Sequence, residues 1–217
     1  MSLSGVEATL ARLLPEGVMF AVEDPRAAAT GLYPEEVAHV ARAVPKRQRE
    51  FAAGRRAARA AFAKLGQGPA PLLAAKSRAP IWPQGIVGSI SHCNDLCIAV
   101  CAHGEAFRAL GVDIEERAPL PAGVLDMVTN AEERAWLATA ESAAPIDIFS
   151  AKEATYKALY PLTQKMLGFH DLMIVPHREG GYFAQLMVPA GAFETGTQFL
   201  LLSDNFESHV IHIMILV

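Results

Sequence analysis

Residues 86–115 read IVGSISHCNDLCIAVCAHGEAFRALGVDIE, and this stretch holds the pattern that decides the fold. Its three apolar segments are 86–91, 97–102 and 107–114. Short turns at Asn94-Asp95 and His103-Gly104 separate these segments. Apolar segments of this length, bounded by turn residues, are typical of β-strands. The stretch therefore predicts three consecutive strands that form an antiparallel meander.

Helical segments lie on both sides of the meander. Pro34 begins a short helix, and a longer helix runs from about Arg47 to Leu65 and ends at Gly66. Proline is favoured in the first turn of a helix and glycine just after its end. Two further helices are predicted at 131–138 and 146–159. Four strands are then predicted near 172–175, 182–188, 198–203 and 209–216.

Helices and strands that occupy separate stretches indicate an α+β fold rather than an alternating β-α-β sheet. We predict two halves, 1–110 and 111–217, each an antiparallel sheet packed with helices. Two such halves that meet near Leu110 create a cleft at their seam, where ligand sites are preferentially found.

The composition limits the class of protein. Hydrophobic residues make up 52% of the 217 residues, which excludes a disordered chain. The formal net charge of −4 argues against a general nucleic-acid-binding protein, whose affinity comes from neutralising phosphates. The longest apolar runs, such as 213–217, are far shorter than the ~20 residues of a transmembrane helix, and no secretory signal is apparent. We therefore expect a cytoplasmic protein with no transmembrane segment.

The three cysteines, Cys93, Cys97 and Cys101, are spaced four residues apart beside two histidines, a grouping that can bind a soft metal. Their spacing would align the thiols on a helix, but this segment is predicted to be a buried strand, and it contains no Cys-x-x-Cys pair. The sequence favours three inert thiols in the core over a zinc or redox site.

The segment Gly111-Val112-Asp113-Ile114-Glu115 ends a predicted strand. Because side chains alternate along a strand, Asp113 and Glu115 point to the same face. Two adjacent carboxylates repel each other unless both reach solvent or a cation lies between them. A hard divalent ion such as Mg²⁺ prefers such oxygen ligands together with substrate phosphates. A solvated strand end is the alternative interpretation of this motif.

Glu153 and Lys157 lie four residues apart in a predicted helix, so they share one face. An exposed ion pair is the simplest explanation of this spacing. Together with Asp113 and Glu115, however, Glu153 supplies a third carboxylate and Lys157 a nearby ammonium. Such a set suits phosphoryl chemistry, in which catalysis consists mainly of positioning and charge neutralisation.

Two other segments carry polar groups suited to a phosphate ligand. Ser91 and His92 follow each other at a strand end, where a histidine is more often structural than catalytic. Arg47 and Arg55 are about two helical turns apart in a basic helix and can hold a phosphate by forked hydrogen bonds. The alternative for this helix is a solvated charged face.

Taken in order, these motifs resemble the signature of the 4′-phosphopantetheinyl transferases, of the type of enterobactin synthetase component D. The resemblance covers residues 40 to 175. It rests on the segments 50–55, Trp82-Pro83, 89–92, 111–115 and 149–162, the last of which contains Lys152-Glu153-Ala154. The segments Trp82-Pro83, 89–92, 111–115 and 149–157 are four motifs whose order and compatible spacing make a specific signal, although each is weak alone.

The resemblance implies an enzyme that transfers the 4′-phosphopantetheine arm of coenzyme A to a serine of an acyl, aryl or peptidyl carrier protein. Adenosine 3′,5′-bisphosphate is released, and Mg²⁺ binds the pyrophosphate. It also implies two halves related by a pseudo-twofold axis, with coenzyme A at the seam. The pathway stays open between siderophore or other nonribosomal peptide synthesis, polyketide synthesis and fatty-acid synthesis. A monomer is the simpler expectation.

The resemblance also assigns roles to individual residues. Metal ligands are Asp113, Glu115 and Glu153. Residues expected at the phosphates and the nucleotide are Arg47, Arg55, Ser91, His92, Lys152 and Lys157, together with Lys76 or Arg78. In this interpretation the N-terminal half contacts the nucleotide, and the C-terminal half carries the metal-binding and catalytic residues. The segment 163–170 resembles the carrier-docking region, and its basic and apolar side chains suit an acidic carrier helix.

The implied mechanism is a displacement at the β-phosphate of coenzyme A. Lys157 stabilises the charge of the departing bisphosphate, and Glu153, directly or through a water molecule, is the predicted base for the carrier serine. Two alternatives remain open. One is a Mg²⁺-dependent phosphohydrolase, and the other is a non-catalytic nucleotide-binding or carrier-binding module.

Overall fold

A computed structural model describes residues 3–140, 143–177 and 181–217 of the chain. The chain folds into two units. The first unit is Met1–Leu110 with Leu216–Val217, and the second is Gly111–Ile215. Each unit contains one antiparallel sheet together with helices. The predicted α+β class is confirmed.

The first unit is a three-stranded sheet covered by a long helix. Its elements are α1 (Leu3–Leu13), β1 (Met19–Glu23), α2 (Pro34–Val40), α3 (Pro45–Ala63), β2 (Ile86–His92) and β3 (Cys97–His103). The strand order is β1-β3-β2. Helix α3 buries Ala53, Ala57 and Ala61, and these small side chains allow it to lie close against the sheet. As predicted, proline occupies the first turn of α2 and of α3.

The second unit is a five-stranded antiparallel sheet with helices. Its elements are β4 (Ala109–Glu116), α4 (Val124–Val128), α5 (Ala131–Leu137), α6 (Pro145–Thr163), β5 (Leu172–Pro176), β6 (Tyr182–Leu186), β7 (Gln198–Phe206) and β8 (His209–Leu216). The strand order is β4-β8-β7-β6-β5. A 3₁₀ helix, Phe169–Asp171, precedes β5.

The predicted three-strand meander is wrong in its last member. Strands β2 and β3 pair as expected, but β4 lies beside β8 in the other sheet, and β3 pairs instead with β1. Strand β1 and helices α1 and α4 were not predicted. Apolar patterning indicates that a segment is a strand but does not identify its partner, because the pairing depends on the distant strand β8.

The three cysteines are buried and form no disulfide. Burial raises the pKa of the Cys93 and Cys101 thiols to about 12, so both are uncharged at neutral pH. In the described parts of the chain, no α-helix combines the length and the hydrophobicity that crossing a membrane requires.

Gly111 allows β4 to pack directly against α6. A Cβ atom at this position would lie 1.9 Å from the Ala154 carbonyl oxygen and 2.7 Å from the Ala158 backbone nitrogen. Both contacts are with backbone atoms, which cannot rotate away. The position therefore requires glycine for close approach.

We expect Gly111→Ala to destabilise the second unit by at least about 2 kcal/mol, because the methyl group forces β4 and α6 apart. Denaturant-induced unfolding measures this change. Gly68→Ala is the matched control, since a Cβ atom there meets nothing within 4 Å, and its effect should stay within about 0.5 kcal/mol. Equal stability of Gly111→Ala and the unmodified protein would contradict the close approach.

Candidate active site

The close contact of β4 with α6 brings together an acid and an amine. Asp113 is only 2% exposed, and Lys157 Nζ donates a hydrogen bond of 2.6 Å to its Oδ1 atom. The same ammonium donates to the Val112 carbonyl oxygen at 3.2 Å. Lys157 thus lies at the predicted acidic site and forms an ion pair with one of the predicted metal ligands.

Two more carboxyl groups interact electrostatically with this ion pair. Burial, and then the charge of Asp113, raise the pKa of Glu115 to about 8. Burial also raises the pKa of Glu153, against the opposing effect of the Lys157 ammonium. His212 adds no positive charge at pH 7, because burial lowers its pKa to about 4. The positive charge near Glu115 and Glu153 is therefore too small to offset the effect of burial on these two carboxyl groups.

The donor set fits a hard divalent cation, since all three acids offer oxygen ligands and their charge is poorly compensated. In the described residues, the side-chain oxygens of Asp113, Glu115 and Glu153 do not all lie within 4.8 Å of one another. A shared ion therefore requires the side chains to rotate towards it. The common Mg²⁺ site stays a prediction.

A cavity of about 200 Å³ opens beside Glu153. Its walls are Lys152, Glu153, Tyr156, Met166, Leu167, Gly168, Phe169 and Leu172. The Tyr156 hydroxyl donates a hydrogen bond of 2.9 Å to the Met166 sulfur, which ties α6 to the segment that follows it. Most of the lining is apolar, so the cavity suits an uncharged chain better than a phosphate group.

Lys152, the other lysine of the α6 motif, points away from solvent. Its Nζ atom donates to the Val128 carbonyl at 2.8 Å, to Glu133 Oε2 at 2.8 Å and to the Phe169 carbonyl at 2.9 Å. An ammonium has three hydrogens, so these acceptors occupy all of them. A phosphate can reach Lys152 only if one of these bonds breaks. The arrangement favours a structural role over the predicted phosphate contact.

In the first unit, Arg47 and His92 are neighbours. Arg47 Nη1 donates to His92 Nε2 at 3.0 Å and lies 3.5 Å from Glu50 Oε2. Because arginine only donates, His92 accepts this bond on Nε2. Ser91 is buried and precedes His92 on β2, so the two side chains leave opposite faces of the strand. Glu50, which also contacts this pair, was not identified as a site residue in the sequence analysis.

Arg55 does not share a surface with Arg47. Arg55 is 6% exposed, whereas the Arg47 side chain is 46% exposed. The Arg55 guanidinium lies 3.9 Å from the centre of the Phe51 ring, and its Nε atom donates to the Leu72 carbonyl at 2.8 Å. Its Nη2 atom is buried and has no hydrogen-bond partner among the described residues. Burial lowers the pKa of Arg55 to about 10, so it stays positively charged at pH 7.

Lys76 and Arg78 lie in an exposed turn closed by the bridge between Ala74 and Pro80. Arg78 has a φ of 72°, in the left-handed region, so its side chain leaves the backbone in a different direction from that of a residue in extended conformation. The turn presents both side chains to solvent, and the contact of Lys76 or Arg78 with the nucleotide stays a prediction.

Comparison with known proteins identifies the family of the chain. Residues 35–102 match the family model of the 4′-phosphopantetheinyl transferase N-terminal domain, and residues 109–212 match that of the 4′-phosphopantetheinyl transferase superfamily. The chain is 41% identical over 190 residues to 4′-phosphopantetheinyl transferase Npt of Nocardia iowensis. This alignment covers 80% of the chain and 86% of Npt.

Two other relatives show the range of similarity. The chain is 47% identical over 165 residues to 4′-phosphopantetheinyl transferase Svp of Streptomyces mobaraensis, with 73% of the chain and 67% of Svp covered. It is 32% identical over 150 residues to enterobactin synthase component D of Escherichia coli O157:H7, with 64% of the chain and 70% of that protein covered. The identity to component D is thus lower than to Npt and Svp. The chain belongs to the 4′-phosphopantetheinyl transferase superfamily and is an enzyme of that class.

Proposed function

We propose that this enzyme transfers the 4′-phosphopantetheine arm of coenzyme A to a serine of an acyl, aryl or peptidyl carrier protein. The reaction is proposed to require Mg²⁺ and to release adenosine 3′,5′-bisphosphate. The observation that carries the proposal is the Asp113–Lys157 ion pair, which interacts with two further acids beside an apolar cavity. A cytoplasmic monomer is part of the same proposal.

The acids and the lysine have complementary tasks in this reaction. Asp113, Glu115 and Glu153 are proposed to hold Mg²⁺, which when bound neutralises the pyrophosphate oxygens of coenzyme A. Lys157 supplies a cation that exchanges its contact with Asp113 for a phosphate oxygen, and it stabilises the charge of the departing bisphosphate.

The cavity beside Glu153 is proposed to accommodate the pantetheine arm. This arm is flexible and uncharged, which suits the apolar walls formed by Leu167 and Phe169. Glu153 lines the same cavity and is proposed to accept the proton of the carrier serine, directly or through a water molecule. A carboxylate that binds a metal ion is a poor base, so the route through a water molecule is the favoured one.

The first unit is proposed to bind the nucleotide end of coenzyme A. The side chains of Arg47 and His92 are hydrogen-bonded to each other and partly exposed. They are proposed to contact the 3′-phosphate, with Ser91 nearby on β2. The Arg55 Nη2 atom offers a donor that an oxygen of the ligand can satisfy. Lys76 or Arg78 is proposed as an additional cation.

The carrier protein is proposed to dock on an apolar surface formed by Leu125, Met127 and Met166. Their exposed fractions are 37%, 58% and 70%. Helix α4, which carries the first two, contacts the 3₁₀ helix through a 3.2 Å approach of His170 Nε2 to the Asp126 carbonyl. Lys165 lies next to Met166 and adds a positive charge that suits an acidic carrier helix.

Incubation with coenzyme A, Mg²⁺ and a panel of apo carrier proteins tests the proposal. We expect the mass of one phosphopantetheine group to be added to at least one carrier, with adenosine 3′,5′-bisphosphate released in equal amount. Chelation of Mg²⁺ should stop both events. Release of bisphosphate without any carrier would instead identify a phosphohydrolase, because water would then be the acceptor.

We expect Asp113→Asn and Glu153→Gln to lower kcat for carrier modification by at least about 100-fold, since each removes a charge at the reacting phosphates. Glu132→Gln, a change at an exposed glutamate of α5, is the matched control and should leave kcat unchanged. Mass spectrometry of the carrier gives the rates. A non-catalytic binding module would bind the carrier and coenzyme A equally well with and without these changes.

The docking surface predicts a selective effect on the carrier. Met127→Ser combined with Met166→Ser should raise the KM for the carrier about tenfold, because it removes apolar contact area, while the KM for coenzyme A stays constant. Met187→Ser is the matched control at an exposed methionine outside this surface. An unchanged KM for every carrier that is modified would exclude this surface.

A further inference from the structure

Lys152 and Glu133 form an ion pair in the interior of the second unit. The Nζ–Oε2 distance is 2.8 Å, and each side chain is 1% exposed. A buried ion pair contributes little stability when compared with apolar residues of similar volume, because both charges lose their hydration. Its presence therefore calls for an explanation beyond stability alone.

The pair connects four separate elements through their backbone. The Lys152 ammonium also bonds the carbonyls of Val128, the last residue of α4, and of Phe169, the first residue of the 3₁₀ helix. Glu133 accepts hydrogen bonds from the backbone amides of Asn130, which caps α5, and of Ile174 in β5. The distances range from 2.7 to 2.9 Å.

Two of these backbone groups belong to segments of the proposed carrier surface and cavity. Val128 follows directly after Met127 on α4, and Phe169 forms part of the wall of the cavity beside Glu153. Val128 and Phe169 are thus held by the same ammonium. This ammonium, together with the contact of His170 with the Asp126 carbonyl, therefore ties α4 to the cavity wall.

We infer that Lys152 and Glu133 are positioning residues that hold α4 and the 3₁₀ helix in the arrangement that accepts the carrier protein. This inference rests on the proposed function and gives Lys152 a different task from that of Lys157. Lys157 acts at the phosphates, whereas Lys152 acts on the carrier through the backbone it holds. Loss of the pair should therefore affect carrier binding much more than coenzyme A binding.

The test compares Lys152→Met, Glu133→Leu and the double variant with the unmodified protein. Each single change leaves one buried charge without its partner and can impair folding, whereas the double variant removes both charges and loses the hydrogen bonds to the backbone groups that the inference concerns. The double variant is therefore the decisive one. Lys64→Met, at an exposed lysine in the first unit, is the matched control.

For the double variant we expect the KM for the carrier to rise about tenfold and the KM for coenzyme A to stay within about twofold of the unmodified value. Backbone amides of residues 124–128 and 168–171 should exchange hydrogen faster, because the carbonyls of both segments have lost their common donor. The Lys64→Met control should leave both KM values and the hydrogen-exchange rates of these segments unchanged.

Two results would overturn the inference. A higher KM for coenzyme A with an unchanged KM for the carrier would place Lys152 at a phosphate. If the double variant were less stable but had unchanged KM values for carrier and coenzyme A and unchanged hydrogen exchange in 124–128 and 168–171, the Lys152–Glu133 pair would have a purely structural role. Hydrogen exchange needs no substrate, so it tests the positioning of α4 and the 3₁₀ helix independently of activity. The proposed function itself would fail if the protein without substitutions transferred phosphopantetheine to no carrier.

Discussion

The contact between β4 and α6 is the constraint on which the candidate site depends. Gly111 has no side chain, so the strand reaches the backbone of α6 at Ala154 and Ala158. Two residues further along the strand, on the same face, Asp113 then lies within hydrogen-bond distance of Lys157. A larger residue at 111 would separate the strand from the helix and would separate the acid from the amine as well.

The electrostatics of the second unit follow from this packing. Asp113 has Lys157 beside it, but Glu115 and Glu153 are also held in a partly buried place where ionisation is disfavoured. A fold selected for stability alone would not bury several acids around one lysine. Groups with such perturbed pKa values cluster at functional sites, because catalysis needs charges that bulk water would otherwise weaken. Phosphoryl transfer, in which positioning and charge neutralisation dominate, is the chemistry that makes use of such a cluster.

The elements near this site were largely predictable from the sequence, but several of their relationships were not. Apolar patterning identified the strand that contains Asp113, yet its partner β8 lies about a hundred residues away and leaves no local signal. The spacing of Arg47 and Arg55 suggested a common direction. Eight positions in a helix leave two side chains about 80° apart, which is enough to expose one and bury the other. Glu133 had a readable signal, the Asn130-x-x-Glu133 capping box, which indicated a helix start but not a buried partner for Lys152.

The neighbouring residues Lys152 and Glu153 show that two members of one sequence motif can have very different surroundings. Successive side chains on a helix diverge by about 100°, so the two cannot serve one small site equally. Glu153 interacts electrostatically with Lys157 and Asp113, while Lys152 is directed into the interior, where carbonyl oxygens and a carboxylate surround it. A buried ammonium is stable only when every hydrogen has an acceptor, and here the acceptors come from elements distant in sequence. The same helix thus directs Glu153 towards Lys157 and Asp113 and the preceding Lys152 towards backbone carbonyls of other elements. The close approach at Gly111 fixes the distance of α6 from β4 and so places Lys157 beside Asp113.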